Sequence, residues 1–474
     1  MRIPQPAEAN AMSKEDEVPM PAGPDGAAHK DLKSQRCKPR RRYQHWLWPA
    51  MFASSVLVTV LLVAYDARLF ERFAAKWESP AAGFFDGQFD DKSFNGILNQ
   101  TVANLNDHKP VLRAGDGYCR IEKWIREHLK KQLLPLDLSH AMLAIGIATS
   151  IPGTNSSTFE TLEKYCALNF DGSGNLAEYP EGLDSFAAGS VLLDMFEQTG
   201  RDSYRVAARK MARYLTDRYP KNELGAMPYW ADKPNLLLMD DKGTVCGFLI
   251  RYGIKFKDAE ALNLGVRQLR TFLQHGMNET DGLPFHAYDL TLDRKFGPAT
   301  WCRGIGWMAM GLADALENLP KDHEAYLEFA DALTRMLQTL RKYQEPDGCW
   351  HWDVNNPTAQ LDTSGTAMIG CAVERAIRAG AIDDSWGTMS ENALRGILRH
   401  THRNGLVDQA MAQCGGVGDY PCIFGPSNYA QGPTLALFSL VRQRFSAKQG
   451  RRQACISIIR RSGNASTVLQ TLNN

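Results

Sequence analysis

The stretch WCRGIGW, residues 301–307, places Arg303 between two tryptophans, Trp301 and Trp307. A guanidinium can bind a carboxylate through two parallel hydrogen bonds, and an indole ring can cover the apolar face of a pyranose. A sugar that carries a carboxylate would use both. His286 lies a short way upstream, where it could share a pocket with the arginine. The motif therefore predicts a site for an acidic sugar, with a well-packed helix start as the alternative interpretation.

Acidic side chains stand at the predicted starts of two apolar helices. Asp184 precedes SFAAGSVLLDMF, and Asp240 and Asp241 precede KGTVCGFLIRYG. Each could be an ordinary helix cap, since aspartate there accepts bonds from free backbone N–H groups and suits the helix dipole. If the helices are parallel, these carboxyl groups instead line one pocket with Arg303, where helix N-termini favour an anionic ligand.

Two kinds of helix alternate along the chain and imply the element that positions these residues. One kind is apolar on most faces, and its members begin near residues 183, 239, 304, 363 and 428. Each of the first four is followed by an amphipathic helix, as expected of an inner and an outer layer. Repeated hairpins bury their apolar faces only by stacking on neighbours, and closing about six of them removes the exposed ends. We therefore expect an all-α fold, a double-ring helical toroid of about six hairpins whose inner helices open at one mouth.

Composition excludes several classes of protein. The 474 residues are 44% hydrophobic, which is ample for a large core, and the formal net charge is only +1. A nucleic-acid partner is therefore not expected. No CxxC pair and no spacing of histidine and cysteine suggests zinc, so we predict no metal.

The ends of the chain differ from its middle in composition. Residues 1–45, rich in Pro, Ala, Gly and charge, predict a disordered basic cytoplasmic tail, and residues 46–65 predict a transmembrane signal anchor of twenty uncharged residues. Basic residues are more numerous before this segment than after it, which places the catalytic domain on the exported side, periplasmic, luminal or extracellular. A cleaved signal peptide is the alternative. Residues 66–90 would be a linker, 91–445 the barrel and 446–474 a C-terminal tail.

Two cysteines flank a turn-rich loop near the end of the predicted barrel. Cys414 and Cys422 bracket GGVGDYP, a loop short enough for a disulfide to close in an oxidising compartment. Free thiols are an equally good interpretation, and the sequence does not decide between them.

Several motifs, in order along the chain, carry a resemblance to a known family. LLLMDDKGTVCGFLIRYG, GLPFHAYD, WCRGIGWMAMGLADALENLPKDH and LDTSGTAMIGCAVERAIRAG resemble the unsaturated glucuronyl and rhamnogalacturonyl hydrolases, glycoside hydrolase families 88 and 105, with family 105 the closer. The resemblance spans roughly residues 110–445. It implies an (α/α)6 barrel that removes a 4,5-unsaturated uronic acid from the non-reducing end of oligosaccharides without a metal or cofactor.

The resemblance also implies roles for individual residues. Asp240 matches the general acid and base of the family, and Asp184 matches the second aspartate beside it. The positions that match substrate-binding residues are His286, Arg303, Trp301 and Trp307. A slip of one residue would exchange Asp240 with Asp241. Two departures, Cys302 in place of alanine and Ile305 in place of asparagine, suggest altered contacts beside Arg303.

The implied reaction acts on a vinyl ether. An acid protonates C4 of the ring double bond, positive charge develops at C5 and the ring oxygen, and water adds at C5. The resulting hemiketal collapses and releases the sugar. This chemistry needs an aspartic acid that is still protonated in the resting complex, so we expect the charge of Asp184 to raise the pKa of Asp240 while Arg303 holds the substrate carboxylate.

Two rival functions fit the same sequence. Inverting glycosidases and sugar epimerases are built on similar helical toroids, so the fold alone does not fix the chemistry. A membrane-tethered, catalytically inactive uronide-binding protein would also keep the fold. Neither rival would consume the ultraviolet chromophore of an unsaturated uronide, and this difference separates them from the hydrolase.

Overall fold

The computed structural model describes residues 44–66, 83–106, 137–150, 153–154, 156–176, 179 and 182–462. These residues form thirteen α-helices, joined by short 3-10 and π turns and a few two- and three-residue strands. The helices are α1 (Gln44–Asp66), α2 (Asp91–Asn106), α3 (Leu138–Ser150), α4 (Ser157–Asn169), α5 (Ala188–Thr199), α6 (Asp202–Arg213), α7 (Gly247–Phe256), α8 (Ala259–His275), α9 (Cys302–Asn318), α10 (Tyr326–Tyr343), α11 (Thr363–Arg378), α12 (Gly387–Arg399) and α13 (Asn428–Ser462).

Six apolar helices form an inner ring. Each of α3, α5, α7, α9, α11 and α13 contacts the next, and α13 contacts α3 to close the circle. Glycines permit this close packing: a Cβ on Gly432 of α13 would lie 2.1 Å from the carbonyl oxygen of Met142 in α3. Helix α9 is buried at nearly every position between Cys302 and Leu316, as an inner helix requires.

The other helices pack outside this ring. Each of α4, α6, α8, α10 and α12 contacts the inner helix that precedes it, and α2 contacts α13. They are one-faced: in α6 the buried residues Tyr204, Ala207, Ala208 and Met211 recur at helical spacing. Within the part of the chain that the structure describes, six hairpins thus close into the predicted all-α ring, with α2 completing the sixth.

Short strands occupy the loops that lead to the inner helices. Strands β1 (Leu236–Leu238), β2 (Ala287–Asp289) and β3 (Arg294–Phe296) form an antiparallel sheet in that order. Strands β4 (Ala410–Met411) and β5 (Phe424–Gly425) form a second antiparallel pair. Strands were not predicted from the sequence, because each has at most three residues. They fix the loops ahead of α7, α9 and α13.

Helix α1 overlaps the predicted anchor over residues 46–65. Residues 51–62 of this helix are exposed. Among the residues that the structure describes, no helix combines the length and apolar character that crossing a membrane requires. The predicted transmembrane anchor therefore has no structural support. Most of the predicted cytoplasmic tail, residues 1–43, and residues 67–82 lie outside the described residues.

Both predicted boundaries of the barrel shift. Residues 83–90, expected to belong to a linker, bond to the barrel: Phe85 donates its backbone N–H to the carbonyl of Thr401 at 3.0 Å, and Arg403 donates to Gly83 at 3.1 Å. At the other end, α13 continues without interruption to Ser462, so the first part of the predicted tail extends the last inner helix.

Candidate active site

Two adjacent aspartates precede α7 and differ completely in environment. Asp241 is fully buried, and its carboxylate accepts hydrogen bonds from Lys242 Nζ at 2.7 and 2.8 Å and from Gln268 Nε2 at 2.6 Å. Burial raises the pKa of Asp241, and Lys242 opposes this effect. The side chain of Asp240 is instead 15% exposed. Asp241 thus belongs to the core, and Asp240 is the residue of the pair that solvent can reach.

His286 lies next to Asp240 because β1 and β2 pair immediately beside both residues. The backbone N–H of Met239 donates to the carbonyl of His286 at 3.0 Å. On the side chain, Nε2 lies 3.2 Å from Asp240 Oδ2, and Nδ1 lies 2.6 Å from the hydroxyl of Tyr420. The ring is only 2% exposed. The predicted acid and base and one predicted binding residue are therefore direct neighbours.

Asp184 lies in the 3-10 turn Leu183–Ala187 that leads into α5. Its Oδ2 accepts a hydrogen bond from the Tyr229 hydroxyl at 2.7 Å. Burial raises the pKa of Asp184 to about 6; the Tyr229 bond opposes the rise, and the negative charge of Asp240 adds to it. The two aspartates therefore interact electrostatically at one mouth of the ring. The raised pKa of Asp184 was not predicted from the sequence, and its main cause is the burial of this carboxyl group.

Arg303 does not present a free guanidinium. It is 2% exposed, and its Nη atoms donate to the carbonyl oxygens of Met411 at 2.7 Å and Ala412 at 2.9 Å and to Ser364 Oγ at 3.2 Å. This geometry differs from the bidentate contact with a substrate carboxylate that was predicted for Arg303. The arginine instead holds the segment that begins with β4 in place, because both of its Nη atoms donate to backbone carbonyls of that segment.

The two tryptophans flanking Arg303 are also buried. Trp301 is 1% exposed and packs against His286, with ring centroids 4.7 Å apart, and against the Arg303 guanidinium at 5.3 Å. Its buried indole N–H has no hydrogen-bond partner among the described residues. Trp307 is 2% exposed and meets Tyr429 edge to face at 6.2 Å. Neither ring offers the open face predicted to cover a sugar.

Three further side chains reach this mouth that the sequence did not single out. Tyr229 bonds Asp184, and Tyr420 bonds His286. Asp137, at the start of α3, bonds the backbone N–H of Ser139 at 3.0 Å, and its charge adds to the raised pKa of Asp184. The turn motif GDYP around Tyr420 marks a loop, but no local pattern indicates that it returns to His286.

The cysteines and the two departures from the family pattern have simple structural roles. Cys414 and Cys422 are both free thiols, and Cys414 Sγ donates to the carbonyls of Gly416 at 2.9 Å and Asp419 at 3.0 Å. Cys302 and Ile305 are fully buried. Cys302 packs on α11, where its Sγ would lie 2.4 Å from a Cβ at Gly365. The expected change in contacts beside Arg303 therefore concerns packing between helices.

One group of side chains away from these residues could hold a metal ion. The ligand atoms of Asp347, Cys349 and His400 all lie within 4.8 Å of one another. His400 follows the outer helix α12, and the other two belong to the turn after α10.

The mouth that contains Asp184 and Asp240 combines carboxyl, imidazole and phenol groups around this partly buried pair of aspartates. Such a set of groups is suited to proton transfer.

Comparison with known proteins identifies the family of this chain. The family model of Glycosyl Hydrolase Family 88 matches residues 132–438. Among curated proteins, the chain is 24% identical over 199 residues to "Unsaturated rhamnogalacturonyl hydrolase YesR" of Bacillus subtilis (strain 168), covering 41% of this chain and 58% of that protein. The match thus spans less than two thirds of that relative.

Solved structures share the fold. A crystal structure of a possible member of the GH105 family from Klebsiella pneumoniae superposes with a TM-score of 0.64 at 20% identity, covering 75% of this chain and 94% of that one. Unsaturated glucuronyl hydrolase from Bacillus sp. GL1, described as responsible for the degradation of glycosaminoglycan, gives 0.57 at 14% identity, covering 74% and 96%. The protein described here is a glycoside hydrolase, and its chain belongs to glycosyl hydrolase family 88.

Proposed function

We propose that this enzyme removes a 4,5-unsaturated uronic acid from the non-reducing end of oligosaccharides by protonating and hydrating the vinyl ether double bond. The observation that supports this most is the pair Asp184 and Asp240 at one mouth, where burial raises the pKa of Asp184 to about 6 and the negative charge of Asp240 adds to the rise. Protonation of an enol ether needs such a proton-holding pair and no metal.

In the proposed mechanism the pair shares one proton. Asp240 delivers it to C4, and positive charge develops at C5 and the ring oxygen. Water then attacks C5 and returns a proton to Asp240, and the hemiketal collapses to release the sugar. Because the pKa of Asp184 is about 6, the shared proton is retained below that pH and lost above it. We therefore expect kcat/KM to decline as the pH rises through this value.

His286 and Tyr420 support the acid and base in this mechanism. The 3.2 Å contact of His286 Nε2 with Asp240 Oδ2 and the 2.6 Å contact of Nδ1 with the Tyr420 hydroxyl form one chain of polar groups. We propose that this chain orients Asp240 and steadies its charge when the proton leaves. Trp301, which is buried and packs on the same imidazole with ring centroids 4.7 Å apart, is proposed to hold His286 in place.

We propose that the substrate derives from an acidic polysaccharide. The relatives include a rhamnogalacturonyl hydrolase and a glucuronyl hydrolase of glycosaminoglycan degradation. Pectin and glycosaminoglycans are therefore the two sources of test substrates. The purified protein would be incubated with lyase-generated disaccharides from pectin and from glycosaminoglycans while the absorbance of the enol ether is followed. We expect loss of absorbance with at least one of them, and none with Asp240→Asn.

Other results would favour the rival functions. Sugar release while the chromophore persists would favour an ordinary inverting glycosidase, and isomerisation without hydrolysis would favour an epimerase. Binding of both saturated and unsaturated uronides with no product would favour an inactive binding protein. Each outcome contradicts the proposed hydrolase.

The location of the enzyme is proposed from the sequence alone. This proposal takes the uncharged segment 46–65 as inserted in a membrane, with the basic residues before it on the cytoplasmic side and the catalytic domain outside the cytoplasm. A fusion of a reporter that is active only after export, placed after the barrel, tests this: reporter activity supports the proposal, and inactivity of an expressed fusion contradicts it.

A further inference from the structure

A buried charge network lies behind the two aspartates at the mouth. Asp241, Lys242 and Gln268 are at most 1% exposed, so none of them can touch a substrate. Lys242 Nζ donates to both carboxylate oxygens of Asp241, at 2.7 and 2.8 Å, and to the carbonyl of Leu238 at 2.9 Å. Gln268, on the outer helix α8, donates to Asp241 Oδ2 at 2.6 Å.

The amide of Gln268 also fixes a second segment of the chain. Its Nε2 donates to the carbonyl of Met227, and its Oε1 accepts from the Met227 N–H, both at 2.8 Å. Two residues later, Tyr229 donates to Asp184. At its other end the network contains Asp241, which directly follows Asp240 in the chain. One set of buried bonds therefore joins the segment that bonds Asp184 to the segment that carries Asp240.

Stability alone does not explain a fully buried ion pair. The desolvation of two charges can exceed their mutual attraction, and apolar residues of similar volume often stabilise a fold as well. Hydrogen bonds that are complete, by contrast, specify one arrangement of the backbone. Here every acceptor and donor of the Gln268 amide that faces Met227 and Asp241 is matched, which favours a role in geometry.

We propose that Asp241, Lys242 and Gln268 are positioning residues that set the spacing between the carboxyl groups of Asp184 and Asp240. This inference rests on the proposed function, since it assigns the network to the proton-sharing pair. The network acts through Met227 and Tyr229 on one side and through the backbone of Asp240 on the other. A shift of either segment would lengthen the path that the shared proton must cross.

The pH profile reports this spacing because Asp184 titrates among a defined set of groups. Tyr229, Asp240, Asp137 and the backbone of Ser185 influence its pKa. The Ser185 hydroxyl lies 3.4 Å from its Oδ1, and Tyr219 and Tyr429 interact with its charge. If the segment holding Tyr229 loosens, the hydroxyl donates less well and the carboxylate is less stabilised. The descending limb of kcat/KM should therefore move to higher pH.

The substitution Gln268→Met tests the proposal, because it keeps the length of the side chain and removes all three hydrogen bonds. Gln274→Met, on the same helix but exposed, is the matched control. With a substrate turned over by the wild type, we expect Gln268→Met to lower kcat about 10- to 100-fold with a much smaller change in KM. We expect the descending limb of kcat/KM in Gln268→Met to move to higher pH. The control Gln274→Met should behave like the wild type.

A second variant approaches the same segment from another side. The hydroxyl of Tyr219 donates to the carbonyls of Pro228 and Tyr229, both at 3.1 Å, so Tyr219→Phe frees this segment while keeping the ring. If Gln268→Met does not fold, the upward shift of the limb in Tyr219→Phe carries the test. A folded variant that retains the wild-type pH profile overturns the positioning role, even if less enzyme survives purification. A wild type that consumes no vinyl ether would instead overturn the proposed function.

Discussion

The substitution Asp184→Asn should make the protein more stable and less active. The carboxyl group of Asp184 is partly buried, and burial together with the charge of Asp240 raises its pKa from 3.8 to about 6. A carboxyl whose pKa is higher in the folded state binds its proton more tightly there, so folding is opposed once the pH is high enough to ionise it. An asparagine keeps an oxygen that can accept the bond from Tyr229 and carries no charge.

The magnitude follows from the size of the shift. Each unit of pKa corresponds to about 1.4 kcal/mol, so the change from 3.8 to about 6 amounts to at most roughly 3 kcal/mol of unfolding free energy above pH 6. Partial exposure of the side chain weakens the effect, and we expect a gain of roughly 1–3 kcal/mol in Asp184→Asn. The gain should be absent below pH 4, where the carboxyl group of Asp184 is protonated in both the folded and the unfolded wild type. It should increase between pH 4 and 6.

Urea unfolding at a series of pH values measures this difference. Asp194→Asn is a suitable control because Asp194 lies on the same helix, α5, and its Oδ1 is 2.7 Å from Arg251 Nη1. Removing that ion pair should not stabilise the protein at neutral pH. A difference between Asp184→Asn and the wild type that is the same at pH 4 and pH 8 would refute the reasoning, as would a loss of stability at pH 8.

Three further predictions concern the surroundings of the site. Tyr420→Phe removes the hydroxyl that bonds His286 and should lower kcat/KM by up to about tenfold; an unchanged value would contradict the polar chain through the imidazole. Asp241→Ala leaves Lys242 buried without its carboxylate and should lower the unfolding free energy by about 3–5 kcal/mol, measured by urea unfolding, whereas a small change would mean that the lysine finds water. Cys422 is an exposed free thiol, so a maleimide should label it without reductant, and labelling only after reduction would indicate a disulfide.

The sequence predicted the helical ring well because burial patterns are local. Apolar segments that begin near residues 183, 239, 304, 363 and 428 all became inner helices. Asp240 and His286 could be placed in one pocket because the motifs around both are specific, and the structure puts them 3.2 Å apart.

The rest depends on partners that are distant in the sequence. Arg303 has the right chemistry for a carboxylate, but the carbonyls of Met411 and Ala412 that it binds give no signal of their own. Tyr420 is 134 positions from His286, and only the closed ring brings them together. The raised pKa of Asp184 was not predicted, because its main cause is burial, and the burial of a single carboxyl group cannot be read from a helix start.

Simultaneous measurement of chromophore loss and sugar release tests the central claim most directly. An unsaturated uronide disaccharide would be followed by absorbance and by the reducing sugar released, in the wild type and in Asp240→Asn, with the saturated disaccharide as a control. Hydration of the vinyl ether predicts that each sugar released is matched by one chromophore lost, that Asp240→Asn does neither, and that the saturated substrate is untouched. Release of sugar from the saturated substrate, or turnover by Asp240→Asn at the wild-type rate, would contradict the account.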